Sequence, residues 1–161
     1  MVHEEHVVDP VRFAFVTVSD TRTEEDDESG KIAKDMIQQG GHVVSSYCIV
    51  EDDVAAIRRA VERGLACADV VVCCGGSGVA PRDVTPEAVR PLLSRELPGF
   101  GEAFRRESFE DIGSRAFLSR ALAGVAGQGL VFCIPGSRGA AKLGTGMILD
   151  AAGHMLWEVR R

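Results

Sequence analysis

Three short apolar runs, each stopped abruptly by small or polar residues, constrain this chain more than any other feature. They are Arg12 to Val18, ending in Ser19-Asp20-Thr21-Arg22; Asp69 to Cys74, ending in Gly75-Gly76-Ser77-Gly78; and Leu130 to Ile134, ending in Pro135-Gly136. Runs of this length without polar alternation suit strands covered on both faces, as in a parallel sheet flanked by helices. Between them lie stretches with helical period. Ile32, Ala33, Met36 and Ile37 share one face before Gly40-Gly41, and Asp52 opens a segment in which Val54, Ile57, Val61 and Leu65 recur at three-to-four spacing. His42 to Val50 reads as another strand. Strands alternating with amphipathic helices predict right-handed crossovers and an α/β fold, a three-layer α/β/α sandwich around a mostly parallel sheet.

Further along, Thr85-Pro86-Glu87 predicts a helix start, with Thr85 as N-cap, Pro86 at the first position and Glu87 against the positive end of the dipole. Pro98-Gly99-Phe100-Gly101 reads as a break before a helix from Glu102 to Phe109. Ser137 caps a last helix toward Leu156, which Gly139, Gly144 and Gly146 weaken by about 1 kcal/mol each relative to Ala. With 161 residues and no repeat or linker, residues 1–10 are expected to form an acidic leader and residues 11–161 a single domain. A core of that size needs neither disulfide nor metal to hold it.

The net charge of −6, with no Lys/Arg block, makes nucleic acid a poor partner. Met1 to His6 lacks the basic and apolar regions of a secretory signal, and no stretch approaches the ~20 apolar residues of a membrane span, so a cytoplasmic protein is expected. The five cysteines form no C-x-x-C pair and mostly lie in or beside apolar runs, where a reduced thiol behaves as a small hydrophobe. Cys73 and Cys74 are expected on opposite strand faces, and the odd count suits a reducing compartment. His3, His6, His42 and His154 show no ligand spacing and read as solvated or satisfied. The acidic run Glu24 to Glu28 reads as a solvated loop that could also serve as a flap.

In open α/β sheets ligands bind beyond the carboxyl ends of the strands. Here those ends bring together Ser19, Asp20, Thr21 and Arg22; Gly75, Gly76, Ser77 and Gly78; and Pro135, Gly136, Ser137 and Arg138. Bare glycine amides, hydroxyls and two guanidinium groups favour an anionic ligand. The glycine loop is compatible with phosphate cradling or with a plain turn, and neither the Rossmann nor the Walker pattern is present. Asp83, five residues past Gly78, and Asp52 are each candidates either for holding Mg²⁺ beside nucleotide phosphates or for helix capping.

Taken in order, Val18-Ser19-Asp20-Thr21-Arg22, Gly75-Gly76-Ser77-Gly78, Arg82-Asp83-Val84-Thr85-Pro86-Glu87-Ala88, Pro98-Gly99-Phe100-Gly101-Glu102 and Ser119-Arg120-Ala121 resemble the MoaB/MogA-type molybdenum cofactor biosynthesis family. The likeness runs from about Val11 to the C-terminus and is especially close to the MoaB branch between Gly99 and Val125. It implies the molybdopterin-binding α/β/α fold and transfer of AMP from Mg-ATP to the terminal phosphate of molybdopterin, with release of pyrophosphate. Asp83 matches the family's essential carboxylate and Asp52 its second acid; both would place Mg²⁺ and the triphosphate. Gly75, Gly76, Ser77 and Gly78 match its Gly-Gly-Thr-Gly loop, with Ser in place of Thr, and Thr85 matches the pattern of active members. Ser119, Arg120, Pro135, Gly136 and Ser137 match substrate-side positions. The resemblance further implies a homotrimer or hexamer and hand-over to a downstream molybdenum insertion protein. A second class is a relative that holds molybdopterin, or acts as a scaffold, without adenylylating it. A third is an unrelated nucleotide-binding regulator of the doubly wound class.

Overall fold

The protein is described by a computed structural model that covers residues 6–161. His3 and the first half of the expected acidic leader lie outside the described residues. Strand β1 (Arg12–Val18), helix α1 (Glu28–Gln39), strand β2 (Val43–Val50), helix α2 (Val54–Cys67) and strand β3 (Val70–Cys74) follow one another in strict alternation. Then come the short helix α3 (Thr85–Val89), a 3-10 turn at Arg90–Leu92, the two-residue strand β4 (Arg95–Glu96) and helix α4 (Pro98–Ile112). A second 3-10 segment, Gly113–Leu118, leads into the hairpin β5 (Leu122–Ala126) and β6 (Gly129–Ile134), and helix α5 (Arg138–Arg160) closes the chain.

The six strands lie in the order β2-β1-β3-β6-β5-β4. The first four run parallel, with Phe15 opposite both Tyr47 and Val72, and Val72 opposite Phe132. Only β5 runs the other way, antiparallel to both β6 and β4, giving the mostly parallel sheet of the expected α/β/α sandwich. Side-chain alternation along each buried strand divides the core in two. Phe13, Phe15, Val70, Val72, Cys74, Phe132 and Ile134 pack on one face against Ala33 and Ile37 of α1 and Ala141, Ile148 and Leu156 of α5. Ala14, Val16, Val71, Cys73, Val131 and Cys133 pack on the other against Ile57, Ala60 and Val61 of α2 and Ala88 and Val89 beside it. Cys73 and Cys74 thus face opposite cores, and both are buried, as is Cys133; Cys48 is half-buried and Cys67 is exposed.

Four local expectations give way. Proline at the first helical position has no amide hydrogen to lose, and α4 begins at Pro98 instead of being broken there. The helix expected from Thr85 is only one turn of α-helix, because the chain swings away through the 3-10 turn to reach the sheet edge. Helix α5 continues through its glycines to Arg160. A Cβ at Gly144 would stand 2.8 Å from the Ile134 side chain, so the missing side chain lets the helix seat on β6, and that close packing outweighs the propensity cost. The acidic run is a solvated loop only in part. Asp27 is fully buried and caps α1 by accepting from the Gly30 amide at 3.0 Å, while Ser29 is buried beside it.

Candidate functional site

The crevice lies beyond the carboxyl ends of β1, β3 and β6, and its floor is a glycine turn that other side chains could not adopt. Gly75 and Gly76 have φ of 116° and 68°, the left-handed region that disfavours any residue with a Cβ. A Cβ on Gly75 would overlap the Val18 carbonyl, and one on Gly76 would overlap the Thr85 hydroxyl. Thr85 is wholly buried and is not the cap of α3. Its hydroxyl donates to the Gly75 carbonyl at 2.7 Å and its amide to the Gly76 carbonyl at 3.0 Å. The threonine therefore locks the loop from beneath, with the Arg82-Asp83-Val84 stretch laid alongside.

The two acids singled out in the sequence meet on this loop. One carboxylate oxygen of Asp83 accepts from the Ala80 amide at 2.9 Å, and a Cβ added to Gly78 would lie 2.8 Å from that oxygen. Asp52 approaches from the far side, where a Cβ on Gly76 would stand 3.1 Å from its carboxylate. Capping of α2 belongs to its neighbour Asp53, which accepts from the Ala56 amide at 2.9 Å and so leaves the Asp52 carboxylate to the crevice. Asp20 accepts from the Asp52 amide at 2.8 Å, bringing a third acid to the same rim. Burial, and then the charges of Asp20 and Asp83, push the Asp52 carboxyl above the usual carboxylate range, with Arg82 opposing. Among the described residues no group of three or more His, Cys, Asp or Glu side chains could hold a metal by itself. Carboxylates crowded in this way still suit a divalent cation that completes its shell with phosphate oxygens, as Mg²⁺ does.

Arg120 braces the loop. Its Nε donates to the Gly78 carbonyl at 2.8 Å, one terminal nitrogen donates to the Asp83 carbonyl at 2.8 Å, and the guanidinium also pairs with Glu87. Hydrogen bonding to Arg120 holds the Glu87 carboxyl below its ordinary range, the larger effect against slight burial. All three side-chain nitrogens thus serve protein acceptors, and Arg120 shapes the site from its flank. Ser19 likewise organises the turn after β1, its hydroxyl accepting from the Thr21 and Arg22 amides at 3.2 and 3.1 Å. Ser137 caps α5 through the Ala140 amide at 3.2 Å. The Ser119 hydroxyl accepts from the Ala121 amide at 3.3 Å, and the Gly136 carbonyl accepts from the Ser29 hydroxyl at 2.8 Å, tying the β6 turn to α1.

Beside the loop opens a cavity of about 420 Å³. Ser77, Gly78, Ser119, Pro135 and Ser137 line part of it, Phe104, Ile112, Ala116, Leu118 and Leu143 give it apolar surface, and Glu107, Asp111 and Arg115 add charged groups. Ser77 is 1% exposed and its hydroxyl has no hydrogen-bond partner. The Thr145 hydroxyl is likewise buried without a partner, and a buried hydroxyl in that state is costly. The apolar wall was not anticipated from the sequence. Its trace is the recurrence of Phe104, Ser108 and Ile112 along one face of α4, which reads equally well as ordinary core.

The sequence matches the model of the probable molybdopterin binding domain over residues 14–157. It is 47% identical over 163 residues to molybdenum cofactor biosynthesis protein B of Bacillus anthracis, covering 99% of this chain and 96% of that protein. A crystal structure of a molybdenum cofactor biosynthesis protein B superposes with a TM-score of 0.90 at 49% identity, covering 94% of this chain and 96% of the other. The tungsten cofactor synthesizing protein MoaB from Pyrococcus furiosus superposes with a TM-score of 0.89 at 36% identity, covering 96% and 99%. At such identity over almost the whole of each chain, this protein belongs to the MoaB family of molybdenum cofactor biosynthesis proteins.

Proposed function

We propose that the protein transfers AMP from ATP to the terminal phosphate of molybdopterin and releases pyrophosphate. The observation that carries this reading is the gathering of Asp52 and Asp83 on the Gly75–Gly78 turn, whose Ser77 and Gly78 also line the neighbouring cavity. The cavity suits a flat ring on its apolar wall and a phosphate at its polar end, near Ser77 and the N-terminus of α5. A phosphate oxygen held there attacks the α-phosphorus of ATP, the bond to the bridging oxygen breaks, and pyrophosphate departs with the electron pair. The chain needs no covalent nucleophile for this: its residues align two polyanions and keep the reacting atoms in line. Asp52 and Asp83 are the residues that would hold Mg²⁺, whose part would be to neutralise triphosphate charge. Arg22 supplies cationic charge beside the Gly136 turn, and Gly75, Gly76 and Gly78 present main-chain amides.

The test is pyrophosphate release from ATP by the purified protein with molybdopterin. Release that needs both substrates supports the reading. Tight molybdopterin binding with no release would replace it with a non-catalytic carrier or scaffold. The same reading includes a trimeric or hexameric assembly, which a solution mass measurement tests, and hand-over of the product to a molybdenum insertion protein. It also includes a cytoplasmic location; among the described residues no helix is long and apolar enough to cross a membrane.

A further inference from the structure

One buried charge lies under the crevice and takes no part in the chemistry described. Asp27 is fully buried, yet its carboxylate accepts from the Thr17 hydroxyl at 2.6 Å, the Tyr47 hydroxyl at 2.5 Å and the Gly30 amide at 3.0 Å. Burial alone would raise its pKa; these hydrogen bonds and the charge of Arg22 reverse the effect and hold it below the usual carboxylate range. Burial and then Asp27 itself push the Tyr47 phenol upward, so Tyr47 stays a hydrogen donor. Tyr47 is fixed in turn by stacking on Phe15, with ring centroids 6.4 Å apart, and by the Lys34 ammonium 3.6 Å from its ring centre.

The cation facing this carboxylate is Arg22, 3.6 Å away and about one-third exposed. That separation exceeds a hydrogen bond, so Asp27 steers the guanidinium by charge and leaves its N–H groups to other acceptors. The same guanidinium nitrogen lies 3.9 Å from where a Cβ on Gly136 would stand, and Gly136 in turn packs on Gly75. Arg22 therefore sits where the turns after β1, β3 and β6 converge. A helix cap needs only a side-chain oxygen, and serine or asparagine does that as well as aspartate. A permanently buried charge with two hydroxyl donors is more than capping requires, and the charge has one evident use here.

We infer that Asp27 is a positioning residue: from beneath the crevice it holds the Arg22 guanidinium at the mouth formed by Gly75 and Gly136, ready to meet a substrate phosphate. The phosphate half of this inference rests on the proposed function; the positioning half does not. Two measurements separate them. Relaxation of the Arg22 side-chain ¹⁵Nε in the ligand-free protein is expected to give an order parameter of about 0.8 in the wild type and below about 0.6 in Asp27→Asn. An unchanged value overturns the inference, whatever the protein catalyses. In the pyrophosphate assay, Asp27→Asn and Arg22→Met should each raise the KM for a substrate about tenfold, with the larger share of the loss in KM, and the double variant should be no worse than Arg22→Met alone. Independent, multiplying losses would make Asp27 a merely structural residue and overturn the claim. If the wild type releases no pyrophosphate but the order parameter still falls, the substrate reading fails and the positioning stands. Should Asp27→Asn not fold, Asp27→Ser retains a capping oxygen without the charge and takes its place in both measurements.

Discussion

The two ends of strand β3 carry carboxylates under opposite regimes. At its amino end Asp69 is clamped: its carboxylate accepts from the Arg12 amide at 2.8 Å, from the Arg12 side chain at 3.1 and 3.3 Å, and from Arg160 at 2.8 Å. Burial works to raise its pKa, but the bonds from both arginines prevail and hold it at about 2. At the carboxyl end Asp20, Asp52 and Asp83 crowd one loop, and Asp52 is pushed the other way. One end spends its charges on holding β1, β3 and α5 together. The other leaves like charges near each other, only partly offset by Arg82. The clamp and the proposed site are thus separated by the five residues of the strand.

Substitutions can break this contrast. The largest effect is expected at the carboxyl end: Asp83→Ala should lower pyrophosphate release by about 10²- to 10³-fold while molybdopterin affinity, measured by calorimetry, changes little. Turnover at the wild-type rate would remove Asp83 from its proposed role. Gly76→Ala forces a side chain into the left-handed region and onto Thr85, so it should cost about 2 to 3 kcal/mol in denaturant unfolding and abolish turnover as well.

At the amino end, Asp69→Asn should cost about 2 kcal/mol at pH 7 and leave the KM of the folded protein unchanged. Because its folded pKa is depressed, the stabilisation from Asp69 is fully present above pH 4 and is lost as pH falls toward 2, so wild type and variant should converge over that window. A constant difference across the same pH range would mean that Asp69 acts by packing instead of charge. The smallest effect distinguishes the two ends by sign. Asp52→Asn removes one of three crowded acids and should raise the melting temperature slightly while turnover collapses, the opposite pairing to Asp69→Asn. A drop in melting temperature would show that Asp52 is a structural residue.

Legibility followed the range of the interactions. Strands β1, β3 and β6 were readable because a strand buried on both faces is apolar residue after residue, the half-exposed edge strand β2 because of its β-branched and aromatic residues, and the glycine turn because left-handed backbone leaves its mark in composition. Strands β4 and β5 were not read. Leu122-Ala123-Gly124-Val125-Ala126 is built of small residues, and a Cβ on Gly124 would stand 2.6 Å from the Arg95 carbonyl, so smallness there serves close packing that a sequence does not display. The hairpin did leave a signal in Gly127, whose φ of 60° marks the two-residue turn between β5 and β6.

The candidate site divides in the same way. Asp52, Asp83 and the glycine loop could be named from local pattern together with the family likeness. Which neighbour caps α2, that Thr85 faces inward and that Asp27 leaves an acidic run for the core all depended on residues distant in sequence.

What the chain determines by itself, then, is its alternation of strand and helix and the place of its tight turn, since each is written in the chemistry of adjacent residues. Only the tertiary structure decided which carboxylates become neighbours and which arginines are consumed as braces. Asp52 meets Asp20 across 32 residues and Arg120 reaches Gly78 across 42, and the free energy of a charge depends on what surrounds it in space, not on what precedes it along the chain.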